Sequence, residues 1–235
     1  MLKKIILAII TNFIGNNINF GVREHSMGSI LNGLALCGFI PFGSTFLSFS
    51  DYQRPAIRMS SLMKLPVTYI YTHDSVTIGQ DGPTHQPIEQ LTSLRCIPDL
   101  LVFRPCDSKE LVGCYEYIIN NKITSCLVLS REEISKYNCG NVNDVKNGGY
   151  IIRKENILHA IIVATGSEVD IAIKIANFLY AKYRVDIRVV SMPCLELFLK
   201  MPKSYQEQII PKNFKTFVIG TKIFLSEIVS TLPLL

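Results

Sequence analysis

Two histidines twelve residues apart stand in one polar segment, Thr72-His73-Asp74-Ser75-Val76-Thr77-Ile78-Gly79-Gln80-Asp81-Gly82-Pro83-Thr84-His85. Histidine changes charge near neutral pH, so a pair of them suits proton transfer or hydrogen bonding to a polar ligand. A plain connecting loop takes glycine and proline for its turns. It has no need of two histidines, each beside a small polar residue, together with two aspartates. The segment follows the apolar run Val67-Thr68-Tyr69-Ile70-Tyr71, the pattern of a buried strand. In parallel α/β sheets the carboxyl ends of strands are where ligands bind.

Other residues of the right types lie on either side. Glu24, within Asn19-Phe20-Gly21-Val22-Arg23-Glu24-His25, opens a helical pattern. The helix macrodipole alone would favour a carboxylate there. In an apolar pocket the same carboxyl would have a raised pKa and suit proton sharing. Phe46, Phe49 and Tyr52 recur every third residue. Alone that spacing is a core pattern. Arg131 follows the apolar run from Cys126. It reads as a surface ion-pair partner or as a two-pronged ligand for an oxyanion. Arg104, before Pro105, reads as structural.

The elements that would position these residues alternate strand and helix, which argues for a mostly parallel sheet. Helices are expected over 24–36, 51–64, 108–120 and from 166 to about 182. Pro55 fits the second of these only within its first turn. Strands are expected over 39–42, 67–72, 100–103, 126–130, 160–164 and 185–190. The Asn- and Gly-rich stretch 136–149 is the natural linker between two domains. The first residues, Met1-Leu2-Lys3-Lys4 and six apolar residues after them, resemble the core of a signal peptide. They are too few to cross a bilayer as a helix, and a strand or helix of the core is the plainer reading.

Composition sets limits. The chain has 235 residues, 48% of them hydrophobic, enough for one large α/β domain or two modest ones. The net charge of +5 is mild, and no basic stripe interleaved with aromatics points to nucleic acid. The seven cysteines show no metal-binding spacing and read as buried, reduced thiols of a cytosolic-type compartment.

Six motifs, "GVREH", "STFLSFSDY", "THDSVTIGQDGPTHQP", "FRPCD", "LSRE" and "VATGSEV", together resemble transketolase, over about Asn17 to Lys222. The resemblance implies an α/β fold, mostly parallel with flanking helices. This is the thiamine-diphosphate-binding fold of a pyrimidine domain, followed by a partial second α/β domain. The implied limits are an atypical segment 1–16, the pyrimidine-binding domain 17–135, a linker 136–149 and a partial C-terminal domain 150–235.

The resemblance also implies an activity: transfer of a two-carbon ketol unit from a ketose phosphate to an aldose phosphate, in the pentose phosphate pathway. The cofactor, thiamine diphosphate, carries the difficult chemistry itself. Glu24 would bond the far ring nitrogen of its aminopyrimidine, so that the cofactor's amino group takes up a proton. Phe49 would stack on that ring, with Phe46 and Tyr52 completing the pocket. His73 would lie near the substrate's phosphate end, and Asp81 would read a substrate hydroxyl. His85 would assist proton movement at the reacting carbons, and Arg131 would grip the sugar phosphate. Glu24 and His85 are thus the catalytic pair.

No metal ligand is implied within this sequence. Mg²⁺ or Ca²⁺ is expected only through a separate diphosphate-binding domain, whose Gly-Asp-Gly motif does not occur here. The chain then supplies one half of a site and works as a homodimer or with a partner chain carrying that domain. No nucleic acid or membrane partner is expected, and the location is cytoplasmic. Two alternatives stand beside this reading: a non-catalytic remnant or partner module, and a dihydroxyacetone synthase-like enzyme. Two residues depart from the family motif: Thr77 stands for a glycine and Gln80 for a glutamate. Thr77 would restrict the loop if that position needs a positive φ.

Overall fold

In the computed structural model, which describes Ile5–Ile6, 17–131 and 140–220, the chain forms two compact units. One is Met1–Val102 with Ile118–Arg131; the other is Phe103–Tyr117 with Glu132–Leu235. The architecture is α/β, with a parallel sheet flanked by helices and then a second, mixed sheet, as the alternating pattern indicated.

The first sheet is built from β1 (Ile5–Ile6), β2 (Ile40–Phe46), β3 (Thr68–Thr72), β4 (Leu101–Phe103) and β5 (Ser125–Val128). Their order across the sheet is β1-β2-β3-β5-β4. Helices α1 (Glu24–Leu36), α2 (Ser50–Leu62), α3 (Gln90–Arg95) and α4 (Ser108–Asn121) connect them. Strand register decides what meets at the carboxyl edge. Phe46 is level with Thr72, and Tyr71 with Val128, in parallel pairs. The last residues of β2, β3 and β5 therefore end side by side.

Two glycines let α1 lie close to its neighbours. A Cβ on Gly28 would stand 2.8 Å from the Ala56 Cβ of α2, and one on Gly43 of β2 would run into Leu31 of α1. A buried polar network ties the same three layers. Ser60 Oγ donates to Asn32 Oδ1 at 2.7 Å and lies 2.5 Å from the Tyr69 hydroxyl. The side chains of this network thus satisfy one another. Around it pack Leu47, Ile57, Leu94 and Val102, all nearly inaccessible to solvent.

The second unit holds β6 (Tyr150–Arg153), β7 (Ala160–Ala164), α5 (Glu168–Tyr183), β8 (Ile187–Ser191), α6 (Leu195–Lys200), α7 (Lys203–Ile209) and β9 (Thr216–Ile219). The strand order is β6-β8-β7-β9, with β6 antiparallel and the rest parallel. Arg104, wholly buried, donates to the Thr165 carbonyl and forms a two-point pair with Glu168, at 2.5 and 3.0 Å. Its structural reading is the one the geometry supports.

Three local readings change. β2 runs on to Phe46, so the aromatic motif begins on a strand rather than after one. Pro55 sits inside α2, past its first turn, because the helix starts at Ser50. Of the six described cysteines, Cys37 and Cys96 are exposed beyond helix ends, while Cys106, Cys114, Cys126 and Cys194 are buried. Cys139, the segments 1–4 and 7–16, and the start of the expected linker lie outside the described residues.

Candidate functional site

The carboxyl edge of the first sheet gathers rings and charges from three strands. Phe46 ends β2, and its ring stacks on His73, the residue after β3, with centroids 3.7 Å apart. Both histidines reach the Phe46 ring. The His85 ring meets Phe46 edge-on at 6.0 Å and Phe49 at 5.1 Å. Phe49 lies nearly parallel to Phe46 at 6.0 Å and tilted to Tyr52 at 6.2 Å. Edge and offset contacts of this kind suit the ring quadrupoles.

Charge gathers beside the rings. His73 Nε2 is 3.8 Å from Asp81 Oδ2, and Arg131 Nε is 3.6 Å from the same oxygen. Burial pushes the His73 imidazole below the usual histidine range, and the Asp81 carboxylate pulls it partly back. Arg131 and His85 add to the downward push. His73 has a φ of 61°, a left-handed conformation that a non-glycine residue adopts at a cost of roughly 1–3 kcal/mol. Asp81 Oδ2 is buried yet accepts no hydrogen bond.

Glu24 opens α1, half-buried. Among the described residues it has no hydrogen bond, ion pair or ring contact. Among the described residues no recorded contact joins it to the cluster of rings and charges. Tyr52 is 66% exposed, at the outer end of the aromatic row. In the motif loop Gly79 (φ 56°) and Gly82 (φ 77°) also take positive φ. Gln80 is exposed. No three His, Cys, Asp or Glu side chains among the described residues could hold a metal ion.

Two family models match the chain. The family model "Transketolase, pyrimidine binding domain" matches residues 10–136, more than half of the chain. A second, "Transketolase-like TK C-terminal domain", matches 148–228.

The chain belongs to the transketolase family.

The transketolase of Physarum polycephalum is 45% identical over 212 residues, covering 87% of this chain and 32% of its own length. The solved transketolase of Leishmania mexicana superposes with a TM-score of 0.83 at 40% identity, covering 87% of this chain and 31% of that one. A chain described as "Split gene transketolase, inactive beta4 tetramer" superposes at 0.74. At 23% identity, covering 92% of this chain and 71% of that one, the last likeness concerns the fold alone. The chain thus spans about a third of the length of the Physarum and Leishmania transketolases. No described helix is long and apolar enough to cross a membrane.

Three supporting residues of the site escaped the sequence reading. Thr72 and Thr84 each place Oγ1 2.9 Å from Nδ1 of the histidine that follows. Ser48 donates to the His85 carbonyl at 2.7 Å. The small polar neighbours of the two histidines were the only signal, and spacing alone gives such residues no role.

Proposed function

We propose that the first unit supplies the pyrimidine side of a thiamine-diphosphate site, in a transketolase that transfers a two-carbon ketol unit between sugar phosphates. The supporting observation is the convergence of Phe46, Phe49, His73, His85, Asp81 and Arg131 at the carboxyl edge of one parallel sheet. The cofactor, when bound, supplies a carbon nucleophile.

The chain's own residues fit such a ligand. Glu24 is a half-buried carboxylate without a protein partner among the described residues, suited to hold a proton against a ring nitrogen. Phe49 and Tyr52 offer a partly open aromatic wall, which would exclude water and strengthen that bond. Phe46 has one face covered by His73, so its part in the pocket is to close the end of the wall.

Asp81 presents an oxygen without a hydrogen bond, and a substrate hydroxyl would supply one. A site built for a hydroxyl discriminates strongly against a substrate lacking it. Arg131, about half exposed, pairs with Asp81 at 3.6 Å through Nε, and its planar guanidinium would suit a phosphate. His85, held by Ser48 and the rings, is placed to move a proton at the reacting carbons.

The described residues do not fit a divalent cation, so no step is assigned to one here. Mg²⁺ and the diphosphate would be held by a diphosphate-binding domain, from a second copy of the protein or a partner chain. We place the pyrimidine-binding domain at 17–135, a linker at 136–149 and the C-terminal domain at 150–235, with a cytoplasmic location.

Calorimetry of thiamine diphosphate and Mg²⁺ tests this reading. The protein is titrated with and without an added transketolase diphosphate-binding domain. Heat that appears on addition of that domain, and is lost with Glu24→Ala, is the expected result. Binding indifferent to Glu24 would overturn the assignment.

A further inference from the structure

We infer that Thr72 and Thr84 are positioning residues that hold both site histidines in one tautomer, with Nδ1 as acceptor and the proton on Nε2. The two contacts are alike: each threonine precedes its histidine, and each Oγ1 lies 2.9 Å from Nδ1. No other hydrogen bond is made by either threonine hydroxyl among the described residues. A hydroxyl can donate or accept, so the rest of the site decides the direction.

Around His73 the decision is electrostatic. Its Nε2 faces Asp81 Oδ2 at 3.8 Å, an acid oxygen that Arg131 Nε also approaches at 3.6 Å. A bare Nε2 would set its lone pair against a carboxylate. An Nε2–H presents a proton instead, and Nδ1 is then free to accept from Thr72. Thr72 is half-buried at the end of β3, so its O–H gains a partner that water would not fully replace. The charged and titratable groups around His73 are Asp81, Arg131, His85 and Asp74.

Around His85 the same local contact is made by Thr84, while Ser48 holds the His85 carbonyl at 2.7 Å. Phe46 lies beside both rings, stacked on His73 and edge-on to His85. Two Nε2–H donors would then serve a hydroxyl- or phosphate-bearing ligand. In that respect the inference deepens the ketol-transfer reading and rests on it. The tautomers themselves can be read without cofactor or substrate, so the two ideas fail separately.

The experiment is long-range ¹H–¹⁵N correlation of the imidazoles in the full chain, near pH 8, where an unperturbed histidine is neutral. The variants are Thr72→Val, Thr84→Val and the serine replacements Thr72→Ser and Thr84→Ser. Valine keeps the shape and suits a strand end. Both histidines are expected to be protonated on Nε2 in the unaltered protein. Each valine variant should move the Nδ1 resonance of its own histidine and raise the Nδ1–H share about fivefold, the factor a typical neutral hydrogen bond supplies. Serine should restore the original signals. An Nδ1–H imidazole in the unaltered protein would overturn the inference. So would folded valine variants whose Nδ1 signals stay in place.

Discussion

His73 shows how one side chain is tuned by its neighbours. It lies against Phe46, which removes water from the ring and lowers its affinity for a proton; Asp81 offsets part of that loss. The native state therefore holds a proton on His73 less tightly than the unfolded chain does. Below about pH 6.5 the unfolded chain binds the extra proton, and stability falls as pH drops until the native imidazole charges too. Denaturant titrations between about pH 8 and 5 should show a steeper loss for the unaltered protein than for His73→Asn. Parallel profiles would refute the burial account.

Glu110 is the opposite case. Its buried carboxyl accepts from the Cys106 amide and the Tyr150 hydroxyl at 2.7 Å each, and from Ser191 at 2.5 Å. Burial outweighs these bonds and raises its pKa. Here the native state holds the proton more tightly, so stability is fullest below the ordinary carboxyl value and declines as pH rises through the raised one. Glu110→Gln should flatten that decline. It should also cost about 1–3 kcal/mol, since an amide cannot accept all three bonds.

Elements set the distances over which these residues act. α1 carries Glu24 and is seated by Gly28 against α2 and by Gly43 against β2. Gly43→Ala would drive a methyl into Leu31, with the Met27 sulfur 3.3 Å from the same methyl. Overpacking of this kind costs about 1–3 kcal/mol, and a chemical melt would show it alongside weakened cofactor binding. An unchanged midpoint would mean that α1 has room to shift. α5 is anchored by the wholly buried Arg104 through Glu168. Glu168→Ala leaves a buried guanidinium without its counter-charge, a loss of about 3–5 kcal/mol. The double replacement Arg104→Met with Glu168→Leu should recover most of it. A double variant as unstable as the single one would show that Arg104 acts through its other bonds.

Long helices were legible because their apolar spacing repeats for several turns, as in Glu24–Leu36. The short helices α3, α6 and α7 have six or seven residues each, too few for a period to stand out. β2 was read short because Gly43, Ser44 and Thr45 interrupt its apolar run, yet they pair in register with β3.

For the molecule as a whole, the chain offers aromatic and acid–base groups at one sheet edge and no described metal site. Ketol transfer is expected only when a diphosphate-binding domain completes the site. In that reconstituted system His85→Ala should lower kcat by roughly 10²–10⁴, the range for a lost general acid–base group. A fall smaller than about tenfold would remove His85 from proton transfer.

The sequence by itself determined the family, the fold class and the residue types at the site, because motif order and periodicity are local properties of the chain. Tertiary structure decided which of those residues meet. Parallel register brings the ends of β2 and β3 level, and so sets Phe46 on His73 across a separation of 27 residues. The same packing gave Thr72, Thr84 and Ser48 their partners. It also left Glu24 half-buried and unpaired among the described residues, a property of the space around α1 that no spacing along the chain encodes.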